Sequence, residues 1–144
     1  MATVRVCRVV ESPAEKLFAA LADWGNWAPW VPILAGAELE SGGPGVVGSV
    51  RRIGPADAPM VRERLTACDE ATFSIAYAFD GPSPFAVRSY AGHVRLIPLT
   101  DRVATVVDWS GTFDADAADE VEVVSTFEGL YGSFIDGLAN LGGQ

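Results

Sequence analysis

Basic residues are scarce in this chain. Its 144 residues include one lysine, Lys16, and nine arginines against 19 aspartates and glutamates, so the formal net charge is −9. Nucleic-acid binding needs a basic face that displaces counterions from phosphates, and the sequence predicts no such face. The same balance disfavours electrostatic docking on anionic membranes. Neither nucleic acid nor a membrane is therefore expected as a partner.

Histidine, cysteine and long apolar runs are also sparse. Cys7 and Cys68 are too few and too far apart to indicate a zinc site or a disulfide framework, and both are predicted to be small buried residues. The one histidine, His93, has no carboxylate or thiolate partners at metal-ligand spacing, so no metal is predicted. Phosphate-loop and dinucleotide motifs are absent, so no cofactor is expected. No apolar run approaches the length of a membrane span and the first residues lack a signal-peptide pattern, which together predict a cytoplasmic location.

The clearest periodic signal lies in the last stretch of the chain, residues 119–141. Apolar residues recur there about every 3.6 positions and predict one long amphipathic helix. Its apolar face comprises Val124, Phe127, Tyr131, Phe134, Ile135, Leu138 and Leu141, with Leu130 at the edge. Gly129, Gly132 and Gly137 interrupt this helix, although each glycine costs it roughly 1 kcal/mol relative to alanine. We expect these glycines to mark close backbone contacts or space for a ligand, with Gly132 bordering any cavity beneath the helix.

Most of the remaining chain is typical of strands. A strand at 3–10 is followed by Ser12, Pro13 and Glu15, which are spaced as a helix-capping box. The next segment, 23–30, carries three tryptophans at a spacing of three and predicts a second short helix or turn. Six further strands are predicted at 37–40, 46–53, 61–67, 73–79, 87–97 and 102–113. Their short links predict an antiparallel meander whose apolar face needs the last helix as a cover, in a single α+β domain over residues 1–144.

Seven local strings resemble one known group of proteins. They are V-V-E-S-P-A-E-K-L-F-A-A-L-A-D-W, N-W-A-P-W, V-G-S-V-R-R, V-R-E-R-L-T-A-C-D, Y-A-F-D-G-P-S-P-F, V-R-S-Y-A-G-H-V-R-L-I-P and V-D-W-S-G-T-F. The chain resembles the START-like superfamily, also called SRPBCC or Bet v 1-like, and within it the bacterial branch of polyketide cyclase/dehydratase type. The resemblance implies a helix-grip fold, in which a curved seven-stranded antiparallel sheet surrounds the C-terminal helix and two short helices follow the first strand. It also implies a cavity between sheet and helix that takes hydrophobic ligands.

Alternation along the predicted strands indicates which side chains face the helix. Aromatic residues fix the inward face and put four side chains inside: Tyr77, Tyr90, Val94 and Trp109. Glu63 alternates in step with Val61 and Leu65, and Arg51 with Ile53, so both are predicted to face inward. His93 is out of step with Tyr90 and Val94 and is predicted to face outward. Glu63 and Arg51 either satisfy each other across neighbouring strands or orient and activate a ligand. The other predicted ligand-binding residues lie in the tryptophan segment and the last helix: Trp27, Trp30, Phe127, Leu130, Tyr131 and Phe134.

Three functions are compatible with this sequence. The favoured one is binding of a small hydrophobic ligand, aromatic or polyketide-like, in the cavity. The first alternative is a cofactor-independent polyketide aromatase/cyclase or dehydratase with Glu63 and Arg51 as catalytic residues, since such chemistry needs a positioned substrate and few polar groups. The second is an interaction module in which ligand binding moves loops at the cavity mouth, among them 80–84, and changes a partner surface. A homodimer is also left open.

Overall fold

A computed structural model describes residues 1–55 and 60–142 of the chain. The described residues form seven strands and two helices. In chain order these are β1 (Ala2–Val10), α1 (Ala14–Ala22), β2 (Gly36–Ser41), β3 (Val50–Gly54), β4 (Val61–Asp69), β5 (Ser74–Phe79), β6 (Ser89–Pro98), β7 (Thr105–Asp114) and α2 (Glu120–Gly142).

All seven strands belong to one antiparallel sheet. Its strand order is β1-β7-β6-β5-β4-β3-β2, so β2 to β7 form the predicted meander and β1 closes the sheet beside β7. Short links make each hairpin, while the longer path from β1 to β2 passes through α1. The α+β architecture of a seven-stranded antiparallel sheet with a long C-terminal helix is therefore confirmed.

Helix α2 covers the apolar face of the sheet. Its buried side chains recur with the helical period, and they are Val123, Phe127, Tyr131, Phe134, Ile135 and Leu138. At Gly137 the helix passes so close to the Trp30 carbonyl that a Cβ atom there would overlap it. Gly132 instead lies beside Arg8, which donates a hydrogen bond of 2.6 Å to the Gly132 carbonyl. The expectation of a close backbone contact thus holds at Gly137, while Gly132 does not border the cavity described below.

The segment between β1 and β2 differs from the prediction. Residues 11–35, all of which are described, contain one helix, and the tryptophan segment forms hydrogen-bonded turns with Trp30 N–H and Val31 N–H donating to the Trp27 carbonyl. Of the two forms expected from the residues, the turn is found, and the second short helix implied by the resemblance is not. Gly25 disfavours a helix, and Pro29 has no backbone N–H to donate within one. Ser12 does not cap α1 either. The N-cap residue is Pro13, and the buried Ser12 hydroxyl has no hydrogen-bond partner among the described residues.

Two smaller expectations also need correction. The strand predicted at 46–53 starts only at Val50, since Val46 and Val47 are exposed in a turn. Cys7 is exposed on the outer face of β1 and Cys68 is half-buried, so neither is a core residue. No helix in the described part of the chain is both long enough and apolar enough to cross a membrane.

Candidate functional site

A cavity of about 330 Å³ lies between the sheet and α2. It is partly open to solvent and almost entirely apolar. Strands β3 to β6 provide its floor, α2 its roof, and the segments around Ile33 and Phe85 complete its wall. Its wall consists of Ile33, Leu34, Ile53, Gly54, Pro55, Val61, Glu63, Tyr77, Phe79, Pro84, Phe85, Tyr90, Thr126, Phe127, Leu130, Tyr131 and Phe134.

A run of aromatic rings makes up one side of the cavity. Tyr90 lies between Phe79 and Phe127, with ring centroids 4.5 and 4.6 Å away in stacked geometry. Phe85 continues the run, 5.0 Å from Phe127. Offset and tilted ring pairs of this kind add stabilisation beyond the area they bury. The aromatic wall is therefore a preformed surface suited to a flat apolar group.

Among the described residues of the cavity wall, Glu63 is the only charged one. It faces Arg51 directly across β3 and β4, and its Oε1 accepts hydrogen bonds from Arg51 Nε at 3.1 Å and Arg51 Nη2 at 2.7 Å. Glu63 is 5% exposed and Arg51 1%. Burial raises the pKa of Glu63, while the Arg51 charge and its hydrogen bonds oppose that rise. Burial also lowers the pKa of Arg51, which starts so high that the guanidinium stays protonated.

Arg51 is screened from the cavity by two indoles. Its guanidinium carbon lies 3.4 Å from the ring centroid of Trp24 and 3.7 Å from that of Trp27, and Nη1 donates to the Trp24 carbonyl at 3.3 Å. Such stacking stabilises a desolvated guanidinium through the negative faces of the rings. Arg51 therefore acts on the cavity only through Glu63. The two residues form the cross-strand pair that was one of the expectations from the sequence.

The three tyrosines of the chain converge on the cavity floor. Trp109 Nε1 donates to the Tyr77 hydroxyl at 3.0 Å, the Tyr77 and Tyr90 hydroxyls are 3.4 Å apart, and the Tyr90 and Tyr131 hydroxyls are in close contact. Burial raises the pKa of each tyrosine, so all three are neutral at physiological pH. The result is a line of hydroxyl groups beneath an apolar space.

Two glycines make this convergence possible. Gly92 and Gly111 are cross-strand partners on β6 and β7. A Cβ atom at Gly92 would overlap the Tyr77 ring, and one at Gly111 would overlap the Tyr131 hydroxyl. Missing side chains at adjacent positions thus form a shallow recess in the sheet, and the tyrosine rings fill it.

The predicted site residues fall into two groups. Seven lie in the cavity wall: Glu63, Tyr77, Tyr90, Phe127, Leu130, Tyr131 and Phe134. Five do not: Arg51, Trp27, Trp30, Val94 and Trp109. These five are buried behind the wall, where Trp27 contacts Trp109 and Phe134 in edge-to-face geometry. Strand parity placed Arg51, Val94 and Trp109 on the correct face of the sheet, and the tryptophan segment was expected beside the cavity. The prediction overlooked that other side chains would cover all five residues.

Several wall residues were not anticipated. Ile33, Leu34 and Phe85 come from irregular segments, where no periodicity shows which way a side chain points. Pro84 belongs to the 80–84 loop, which was expected at the cavity mouth. Phe79 shares the parity of Tyr77 and could have been found from the strand pattern. His93 is exposed on the outer face, as its parity predicted. Within residues 1–55 and 60–142, no three His, Cys, Asp or Glu side chains lie close enough together to hold a metal ion.

A curved antiparallel sheet that grips a long C-terminal helix over an apolar cavity defines the helix-grip class of START-like proteins. Residues 1–142 match the model of the family described as polyketide cyclase / dehydrase and lipid transport, and the chain belongs to that family. No curated protein matches the chain by sequence.

Solved structures share the fold over nearly the whole chain. A protein from Nitrosospira multiformis is 26% identical with a TM-score of 0.81, over 98% of this chain and 96% of its own. One from Thermobifida fusca is 25% identical with a TM-score of 0.85, over 96% of this chain and 91% of its own. Ara h 8.0201 is 22% identical with a TM-score of 0.75, over 97% of both chains, and this likeness concerns the fold alone. The resemblance noted from the sequence is confirmed.

Proposed function

We propose that this protein binds one small hydrophobic ligand, aromatic or polyketide-like, in the cavity between the sheet and α2. The observation that carries the proposal is an apolar space of about 330 Å³ between the sheet and α2. Pockets of this size and character are where proteins take up small molecules. Membership of a family described by polyketide chemistry and lipid transport supports the same class of ligand.

The cavity volume limits the size of the ligand. Liquid water occupies about 30 Å³ per molecule, so the cavity corresponds to roughly eleven waters and to a ligand portion of roughly a dozen non-hydrogen atoms. One or two fused rings fit this space. A longer polyketide or acyl chain would extend through the open side, past Ile33, which is 42% exposed.

Native mass spectrometry of the purified protein tests the proposal. We expect a retained small molecule, or one-to-one uptake of added 2-naphthol, a two-ring probe of suitable size. Leu130→Trp projects a larger side chain into the cavity wall and should abolish uptake. Val121→Trp places the same residue on the same helix at a position that is 83% exposed, and it should bind as the wild type does. Equal uptake by both variants would contradict binding in this cavity.

A cofactor-independent cyclase or dehydratase is the second candidate, and Glu63 is the observation that favours it. Its carboxylate lies in the cavity wall, and burial raises its pKa, which suits a group that removes a proton next to a substrate carbonyl in an aldol-type ring closure. Arg51 would then be a positioning residue, because it contacts Glu63 and not the cavity.

Turnover of a poly-β-ketone substrate analogue separates the two candidates. The enzyme hypothesis expects Glu63→Gln to retain affinity for the analogue and to lose its conversion, since a ketone offers no O–H for Glu63 to bind. Glu40→Gln, an exposed change on β2, is the control and should convert the analogue at the wild-type rate. If the wild type binds the analogue and never converts it, the protein is a binder.

A further inference from the structure

Glu63 has one carboxylate oxygen without a partner. Both hydrogen bonds from Arg51 end on Oε1, and no donor in the described part of the chain contacts Oε2. Glu63 belongs to the cavity wall. Oε2 is accessible from the cavity and is not sealed in the core, so a molecule bound there can reach it. A ligand that displaces water from the cavity must supply an O–H or N–H to Oε2, because an ionised carboxylate oxygen stripped of donors is costly.

The tyrosine cluster has at least one hydroxyl hydrogen without an acceptor among the described residues. Three hydroxyl groups carry three hydrogens, and the two contacts that join them use at most two. Trp109 donates to the cluster and accepts nothing, because an indole N–H is only a donor. Whichever way the hydroxyls are oriented, at least one O–H is left without an acceptor among the described residues. All three tyrosines contribute to the cavity wall.

The described wall contains no cation. Glu63 is its only charged residue, since Arg51 lies behind the wall between Trp24 and Trp27. A carboxylate ligand would bring a second negative charge towards Glu63 and lose its hydration without a counterion. The net charge of −9 would also repel it before binding.

We infer, on the basis of the proposed function, that the ligand carries a neutral hydroxyl group, as a phenol or an alcohol does. This hydroxyl donates to Glu63 Oε2 and accepts from the spare tyrosine O–H, while the apolar rings contact Phe79, Phe127 and Leu130. A hydroxyl is the smallest neutral group that both donates and accepts at one oxygen. The cavity thereby selects hydroxylated ligands over bare hydrocarbons and rejects carboxylates, free fatty acids included.

Isothermal titration calorimetry with three ligands of one shape tests this inference. Naphthalene offers the rings alone, 2-naphthol adds the hydroxyl, and 2-naphthoate replaces it with a carboxylate. We expect 2-naphthol to bind about tenfold more tightly than naphthalene, a difference of about 1.4 kcal/mol, because a hydrogen bond to a charged group exceeds the water contacts it replaces. We expect 2-naphthoate to bind more weakly than naphthalene or not at all.

One change in the ligand and one change in the protein test whether Glu63 accepts the hydrogen bond from the hydroxyl of 2-naphthol. 2-Methoxynaphthalene can accept from a tyrosine and cannot donate to Glu63, so it should lose most of the advantage of 2-naphthol without any change in the protein. Glu63→Gln should reduce the preference for 2-naphthol and relax the rejection of 2-naphthoate, whereas Glu40→Gln should leave both unchanged. If Glu63→Gln fails to fold, the methyl ether still tests the same hydrogen bond.

Failure of the inference and failure of the proposed function give different results. If all three ligands of the first series fail to bind, the cavity is not a site for two-ring ligands and the proposed function is contradicted. If naphthalene and 2-naphthol bind equally, the proposed function stands and the hydroxyl inference is overturned. Preferential binding of 2-naphthoate would also overturn it, because it would require a cation that the described wall lacks.

Discussion

Removing Arg51 should destabilise the protein in a pH-dependent manner. In Arg51→Met the Glu63 carboxylate, 5% exposed, loses the cation that donates both of its hydrogen bonds. Breaking a buried ion pair by removing one partner typically costs about 3–5 kcal/mol. We therefore expect the free energy of unfolding at pH 8 to fall by about 3–5 kcal/mol. At that pH an unpaired Glu63 must either remain a buried charge without a counterion or take up a proton, and both cost free energy.

The pH dependence follows from the proton that Glu63 would take up. Loss of Arg51 raises the pKa of Glu63 in the folded variant above its value in the folded wild type, while the unfolded chains titrate alike. Between these two pKa values the folded variant binds more protons than the folded wild type. Its stability relative to the wild type should therefore decline as the pH rises, by up to about 1.4 kcal/mol per pH unit. As the pH falls through the interval between these two pKa values, the loss should shrink.

Urea unfolding at several pH values, followed by tryptophan fluorescence, measures this effect. Arg62→Met is the matched control, because Arg62 precedes Glu63 on β4 and pairs with Glu40 and Asp80 at the surface. Its loss should matter little, since exposed ion pairs contribute little to stability. The double variant Arg51→Met/Glu63→Met should recover most of the lost stability, since an apolar pair can replace a buried ion pair. A loss that is the same at every pH would refute the view that an uncompensated Glu63 charge is its cause.

Smaller changes elsewhere test other parts of the structure. Gly129→Ala should raise the free energy of unfolding by about 0.5–1 kcal/mol, because open space surrounds that helical position, whereas Gly137→Ala should lower it by overlap with the Trp30 carbonyl; urea titration measures both. Ser12→Ala should leave the melting temperature unchanged or raise it, because the hydroxyl is buried without a described partner; a loss of about 1 kcal/mol would mean that it caps α1 after all. His93→Ala should leave the calorimetric Kd for 2-naphthol unchanged, since His93 is exposed on the far side of the sheet, and a weaker Kd would place it at the site.

Strand periodicity was enough to predict the sidedness of the sheet. Side chains alternate between faces with a period of two, so one aromatic or aliphatic residue of known direction fixes the direction of the others on its strand. Glu63 and Arg51 were found in this way, as directly facing partners on β4 and β3. His93 was placed on the outer face by the same rule.

Periodicity could not predict which inward side chains reach the cavity. Arg51 and Trp109 both point inward, yet Trp24 and Trp27 cover the first and Tyr131 and Phe134 lie against the second. Such covering depends on how the turn segment and α2 dock on the sheet, and no local pattern encodes that docking. A side chain that points inward therefore does not necessarily reach the ligand cavity.

The glycines show the same limit. A glycine in a helix leaves space on whichever side of the helix it occupies. Helical spacing alone did not show whether a given glycine lies on the side near β1 or on the side near the cavity. Gly132 proved to accept a hydrogen bond from Arg8, and Gly137 to contact the Trp30 carbonyl. The glycines that shape the cavity floor, Gly92 and Gly111, lie in the sheet instead. These two glycines face each other across β6 and β7, a pairing that is evident only from the strand register.

The most direct test of a hydroxylated ligand in this cavity is an NMR measurement of intermolecular NOEs between ¹³C-labelled protein and unlabelled 2-naphthol. We predict NOEs from the naphthol rings to Val61, Phe127 and Leu130 in the cavity wall. NOEs confined to Phe18 and Phe73, in the separate groove between α1 and the β4–β5 hairpin, would contradict the account, as would their absence at saturating ligand.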